Sequence, residues 1–144
     1  MIIGPRLGRF TKSGAPAPLK PFAASSIPLV TIGVFILWLG WFGFNGGSQL
    51  AMGTAVDAIA VSTIFMNTFL AGAGGVIGAA IITRLHFGKT DVVQMLNGCI
   101  GGLVAVTAEP LAPSPFAAIL IGAVGGLIVV YGTKPVSYTH LRAH

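Results

Sequence analysis

Charge is absent from four long windows of this chain, residues 21–56, 58–83, 92–108 and 110–133, and these windows set its architecture. A helix that spans a bilayer needs roughly 17 to 25 predominantly apolar residues. The windows predict helices over 27–44, 58–83, 93–107 and 116–131, the third being marginal in length. Ahead of them, Met1-Ile2-Ile3 is an apolar stub stopped by Gly4-Pro5. It reads as the last turn of a helix that began upstream, so the chain is expected to be a fragment. The expected class is all-α, a polytopic membrane helical bundle. Residues 1–26 would be the end of a preceding helix plus a basic loop, and 27–134 four transmembrane helices. Residues 135–144 would be a polar, non-native tail outside the fold.

Composition agrees with the pattern. Hydrophobic residues make up 54% of the chain and charged residues 8%, with a mean hydropathy of +0.90, whereas about a quarter of an ordinary soluble domain is charged. The net charge of +5 would suggest nucleic acid in a soluble protein, but its placement suggests topology. Arg6, Arg9, Lys12 and Lys20 precede the first helix, Arg84 and Lys89 separate the second from the third, and Lys134 follows the fourth, with Arg142 beyond it. All of these fall on one side. The opposite loops, 45–57 and 108–115, contain no Lys or Arg, so the basic face is expected to be cytoplasmic by the positive-inside rule. No nucleic-acid partner is expected.

Small residues predict how the helices pack. Gly74/Gly78, Gly98/Gly102 and Gly122/Gly126 are pairs at i and i+4, one in each of the last three helices, the spacing that lets backbones approach closely in lipid. The run Gly72-Ala73-Gly74-Gly75-Val76-Ile77 lacks the third glycine and the preceding strand of a dinucleotide loop, and is read as helix packing.

Ionisable residues offer little chemistry. Asp57, Asp91 and Glu109 are the acidic residues, and none is spaced with another for acid–base work or metal binding. Asp57 and Asp91 stand where carboxylates cap helix N-termini, opening the second and third helices. His86 reads as a solvated loop residue and Cys99 as a buried, inert thiol. Asn67 and Asn97 lie within apolar helices and need partners; interhelical hydrogen bonding and pore lining both remain open. No enzyme, metal site or cofactor is expected.

The junction after the first helix carries the most information: Gly40-Trp41-Phe42-Gly43-Phe44-Asn45-Gly46-Gly47-Ser48. Four carbonyls at a helix C-terminus lack intrahelical partners and carry the negative end of the helix dipole. Gly46 and Gly47 are expected to let the backbone leave the helix through left-handed conformations. The Ser48 hydroxyl can accept an N–H, and the faces of Trp41 and Phe44 can attract a cation. An ordinary aromatic belt followed by an ordinary helix stop explains the same residues.

This block resembles the sixth-helix signature of the ammonium transporter family (Amt/Mep/Rh). Gly4-Pro5-Arg6-Leu7-Gly8-Arg9-Phe10 resembles the end of the fifth helix and the loop after it, Ile64-Phe65-Met66-Asn67-Thr68 the seventh helix, and Leu96-Asn97-Gly98-Cys99-Ile100-Gly101-Gly102-Leu103-Val104-Ala105-Val106-Thr107 the eighth. The blocks occur in the family's order and cover the chain from its start to about Lys134.

The resemblance implies part of the ammonium-transporter fold, ammonium/ammonia as substrate, contact with membrane lipid, a homotrimer in the cell membrane and a PII-type signalling protein docking on the cytoplasmic face. It implies substrate-binding roles for Ser48 as the recruiting serine, Phe44 as a gate phenylalanine and Trp41 as a pore-lining tryptophan. The family's pore histidines, recruitment aspartate, recruitment tryptophan and other gate ring would lie outside this chain, and none of His86, His140 and His144 matches them. An unrelated polytopic transporter, or a non-conducting membrane scaffold, is the alternative.

Overall fold

A computed structural model describes residues 26–139, with side chains described through residue 133. The Gly4–Phe10 block, the basic residues before the first helix and the tail's last five residues lie outside the described residues. The described chain is four helices: α1 (Ile27–Gly47), α2 (Ala55–Phe87), α3 (Val92–Val106) and α4 (Pro115–Thr139). Backbone N–H and C=O groups have no water to turn to in hydrocarbon, so apolar runs of this length are obliged to be helical. Three of the helices, α1, α2 and α4, are long and apolar enough to cross a membrane.

Local chemistry sets the boundaries. Ser26 caps α1, accepting the Leu29 N–H, with Pro28 in the first turn where its missing donor is harmless. At α2 the N-cap is Thr54, whose hydroxyl accepts the Asp57 N–H while the Asp57 carboxylate accepts the Thr54 N–H. This is a capping box, so Asp57 sits at the third helical position and does not itself open the helix. Gly88, at φ 70°, ends α2 by donating its N–H to the Arg84 carbonyl. His86 therefore belongs to the last turn of α2 and not to a loop. Asp91 caps α3 as expected, accepting the Val93 and Gln94 N–H groups.

Two helices extend past their expected ends. α1 continues through Gly47, and Gly46 and Gly47 stay right-handed; the left-handed residue of this turn is Leu50, at φ 57°. Gly46 serves packing instead, since a Cβ on it would run into the Phe65 ring, while a Cβ on Gly47 would meet nothing within 4 Å. The backbone of α4 likewise remains helical through Thr139, beyond the boundary drawn at Lys134. Polarity there marks where a lipid-compatible surface stops, which need not be where backbone hydrogen bonding stops.

α2, α3 and α4 form a tight triangle in which backbone touches backbone. A Cβ on Gly75 would overlap the Gly98 carbonyl and crowd Gly102, and one on Gly126 would overlap the Gly75 carbonyl. Gly74 and Gly78 face Ile119 and Ala123 of α4, and Gly101 and Gly125 face each other. All three glycine pairs read from the sequence lie at these contacts. α1 touches α2 and α3 but not α4. Its Val34, Trp38 and Trp41, at i, i+4 and i+7, lie against Cys99 and Leu103 of α3.

α3 is the short member. Its 15 residues rise about 22 Å, less than the roughly 30 Å of a hydrocarbon core. The stretch from Thr107 to Ser114 that joins it to α4 contains no regular helix.

Candidate functional site

Trp41, Phe44 and Ser48 are spaced i, i+3 and i+7 along α1 and therefore share one face. At about 1.5 Å rise per residue they form a file about 10 Å long, with Ser48 at the helix end and Trp41 deepest. The structure brings the three together. The Trp41 and Phe44 ring centroids are 6.0 Å apart at an interplanar angle of 54°. Ser48 Oγ donates to the Phe44 carbonyl at 2.7 Å, and the Ser48 N–H donates to the same oxygen at 3.2 Å.

These bonds fix what the hydroxyl can do. Its hydrogen is held by the Phe44 carbonyl, so the lone pairs on Ser48 Oγ are the part left to meet an incoming group. Ser48 is exposed and Phe44 is 62% exposed. An exposed acceptor at the negative end of a helix dipole, with an exposed ring face one turn deeper, suits a small cation carrying several N–H donors.

Trp41 is half-buried and its indole is committed. Trp41 Nε1 donates to Thr107 Oγ1 at 2.7 Å, and that hydroxyl donates to the Leu103 carbonyl at 2.7 Å. Beside Phe44, the buried Asn45 donates from Nδ2 to Thr68 Oγ1 at 3.0 Å, tying α1 to α2. The sequence singles out neither threonine for this. The available signal was a hydroxyl inside each apolar helix, too common in membrane helices to point to a partner.

Asn67 resolves its two open roles in favour of a contact inside the protein, but not one between helices. Fully buried on α2, it donates from Nδ2 to the Pro110 carbonyl at 3.0 Å and the Pro113 carbonyl at 2.8 Å. Those carbonyls belong to the irregular stretch that follows α3, whose backbone groups lack the partners a helix would give them. Glu109 closes the same turn by accepting the Leu111 and Ala112 N–H groups. Asn97 is half-buried and makes no comparable bond among the described residues.

The opposite end of the bundle is different in kind. Tyr131 meets His86 edge to face, ring centroids 5.4 Å apart, and Gln94 Nε2 lies 3.4 Å from Thr133 Oγ1. Arg84 and Lys89 are exposed there. No three His, Cys, Asp or Glu side chains gather in a metal-binding group among the described residues. Cys99 is buried and free.

With this geometry in hand, comparison with known proteins is specific. A family model described as "Ammonium Transporter Family" matches residues 1–144. The ammonium transporter Amt2 of Archaeoglobus fulgidus is 42% identical over 132 residues, covering 92% of this chain and 27% of that protein. Ammonium transporter 1 member 2 of Arabidopsis thaliana is 34% identical over 138 residues, covering 90% of this chain and 26% of that protein. A solved structure named "Sensor Amt Protein" superposes with a TM-score of 0.81 at 27% identity, over 99% of this chain and 34% of that one. The chain thus spans roughly a quarter to a third of these relatives. It is a membrane protein of all-helical fold, and it belongs to the ammonium transporter family.

Proposed function

We propose that this segment forms part of the wall of an ammonium-conducting pore, and that the Ser48, Phe44 and Trp41 file is where the ion is recruited, gated and admitted. The observation that carries this reading is the Ser48 hydroxyl, whose hydrogen is held by the Phe44 carbonyl so that the oxygen is left as an acceptor at the mouth of the file. Ammonium brings four N–H donors and one positive charge. An acceptor and the negative end of a helix dipole meet both needs, and an aromatic face adds about 0.5 to 2 kcal/mol, depending on desolvation.

Passage then follows the order of the residues. The exposed Phe44 ring stands one turn in from Ser48 and acts as a gate, stripping water from the ion. Trp41, about 4.5 Å deeper by helix rise, lines the path beyond. The groups that handle the proton, and the second gate ring, would come from the rest of the complete protein. That protein is a homotrimer in the cell membrane, with the Arg84 and Lys89 end cytoplasmic, where a PII-type signalling protein docks. Homologues carrying transporter names and the lack of a catalytic constellation in the sequence support transport over enzymatic chemistry.

The test uses the complete protein that carries this segment, reconstituted in proteoliposomes, with methylammonium uptake and ammonium currents as readouts. Ser48→Ala is expected to weaken recruitment by about 0.5 to 1.5 kcal/mol, roughly a threefold to tenfold loss of apparent affinity. Phe44→Ala is expected to widen the constriction, so that selectivity over other cations falls. If both variants match the wild type in affinity and selectivity, the file is not the ion's entrance. Orientation is checked separately with single cysteines in a cysteine-free background. A probe at Lys89 should label only from the cytoplasmic side and one at Ser114 only from outside; labelling of both from one side would overturn the four-helix topology.

A further inference from the structure

We propose that Thr68 and Thr107 are positioning residues for the Ser48, Phe44 and Trp41 file: two hydroxyls, one on α2 and one on α3, that fix the rotation of α1 about its own axis. The proposal rests on the reading of that file as the ion's path.

Among the described residues of this segment, α1 makes no other side-chain hydrogen bond to another helix. Val34, Asn45 and Gly46 are its buried residues, and Phe35, Ile36, Leu39 and Phe44 are well exposed. In a membrane, apolar contacts do not by themselves fix a helix, because lipid tails are as apolar as the side chains they replace. Trp41, Phe44 and Ser48 keep their relative angles within the helix, so a rotation of α1 about its axis would turn the face they share away from its present direction as one unit. Something must hold the angle, and hydrogen bonds do so because they weaken steeply off axis.

The two bonds are placed to do this. Trp41 and Asn45 are separated by one helical turn and reach different neighbours, Thr107 of the α3 C-terminus and Thr68 of α2. Two fixed points on two partners set a rotation where one would leave a pivot. The direction of the first bond is dictated by chemistry, since an indole N–H only donates. Thr107 gives its own hydrogen to the Leu103 carbonyl, which aims the hydroxyl oxygen at the indole. The second bond lies in the interior, with Asn45 1% and Thr68 0% exposed, so water cannot replace it. Asn45 adjoins Phe44 and is three residues from Ser48, which makes it the local anchor for both.

Isosteric variants separate positioning from bulk packing. In the complete protein in proteoliposomes, Thr107→Val is expected to lower maximal methylammonium uptake about tenfold, while Thr107→Ser, which keeps the hydroxyl, matches the wild type. Thr68→Val is expected to raise KM about threefold, with Thr68→Ser restoring it. Because Thr107 acts through the indole N–H, Thr107→Val should change nothing further in a Trp41→Phe background. If Thr107→Val does not assemble, Thr107→Ala removes the same acceptor and should show the same loss beside an unaffected Thr107→Ser.

A readout independent of transport completes the test. With every other tryptophan replaced by phenylalanine, Trp41 fluorescence should become more accessible to acrylamide in Thr107→Val and stay unchanged in Thr107→Ser. If Ser48→Ala weakens uptake but Thr107→Val alters neither uptake nor quenching, or if its effect adds to that of Trp41→Phe, the positioning proposal is overturned and the ion path stands. If quenching responds while uptake is unmoved in both Thr107→Val and Ser48→Ala, the ion path itself has failed.

Discussion

The triangle of α2, α3 and α4 is joined backbone to backbone, whereas α1, which carries the aromatic file, is attached by an apolar stripe and two side-chain hydrogen bonds. At Gly75 three helices converge, with Gly98, Gly102 and Gly126 around it. On α1, by contrast, a Cβ added at Gly33, Gly40, Gly43 or Gly47 meets nothing within 4 Å. Glycine therefore means opposite things in the two regions. In the triangle it is a backbone-to-backbone contact, and along α1, apart from Gly46 against the Phe65 ring, it is an open place on the surface of this segment. Polar bonds between membrane helices average only about 0.6 kcal/mol. Within this segment, the helix bearing the proposed gate is thus the one attached through single hydroxyls, while in the scaffold beneath it added atoms would meet backbone.

The comparison is most easily broken at Gly75. Gly75→Leu in the complete protein must push α3 or α4 aside, because the nearest atoms are backbone and cannot rotate away. Overpacking of this kind typically costs about 1 to 3 kcal/mol and occasionally more, and with helices on two sides the upper end is expected. The variant should accumulate poorly and lose its assembled form on size exclusion in mild detergent. A well-assembled, thermally wild-type Gly75→Leu would show that the triangle is not joined as described.

Much of this division was legible in the sequence. The glycine pairs of the last three helices predict packing, and Gly74, Gly78, Gly98, Gly102, Gly122 and Gly126 all lie at backbone contacts, because i, i+4 spacing puts both residues on one face. The third charge-free window is marginal in length for a span, and α3 is short. What was not legible were the contacts between distant parts of the chain. Gly46 and Gly47 looked like a left-handed helix stop because that is glycine's commonest use at a C-terminus. Whether the Phe65 ring lies across the backbone depends on how α1 docks on α2, which no local pattern contains. The partners of Asn45, Trp41 and Asn67 were hidden for the same reason. A hydrogen bond spanning 66 residues, such as Trp41 to Thr107, leaves no spacing to read.

A smaller effect is expected at Asn67, which fastens the α3–α4 connection to α2. Its amide donates to two carbonyls in the irregular stretch that joins α3 to α4. Asn67→Leu keeps the bulk and removes both donors, leaving the Pro110 and Pro113 carbonyls without them. The expected destabilisation is about 1 to 3 kcal/mol, the penalty for a buried polar group stripped of its partner. Since the triangle's glycine contacts are untouched, the change should be local. Hydrogen exchange in the complete protein should quicken at Leu111 and Ala112 while the central turns of α2 and α4 remain protected. Uniform loss of protection would mean that the loop is integral to the triangle and not fastened onto it.

The smallest expected effect lies inside the signature itself. Gly43 stands between Trp41 and Phe44, yet a Cβ there meets no atom of this segment. Alanine is also the better helix former, by about 0.8 to 1 kcal/mol in soluble helices. If α1 is open along this face in the assembled protein too, Gly43→Ala should leave thermal stability in detergent within about 0.5 kcal/mol of the wild type, the usual range for a surface change. Uptake and selectivity would then report only on the file beside it. The informative alternative is a loss comparable to that of Gly75→Leu. Because the bonds from Trp41 and Asn45 do not involve Gly43, such a loss would place another part of the complete protein directly on the α1 backbone at this level. The gate helix would then be wedged between two scaffolds, and its apparent freedom would belong to this segment alone.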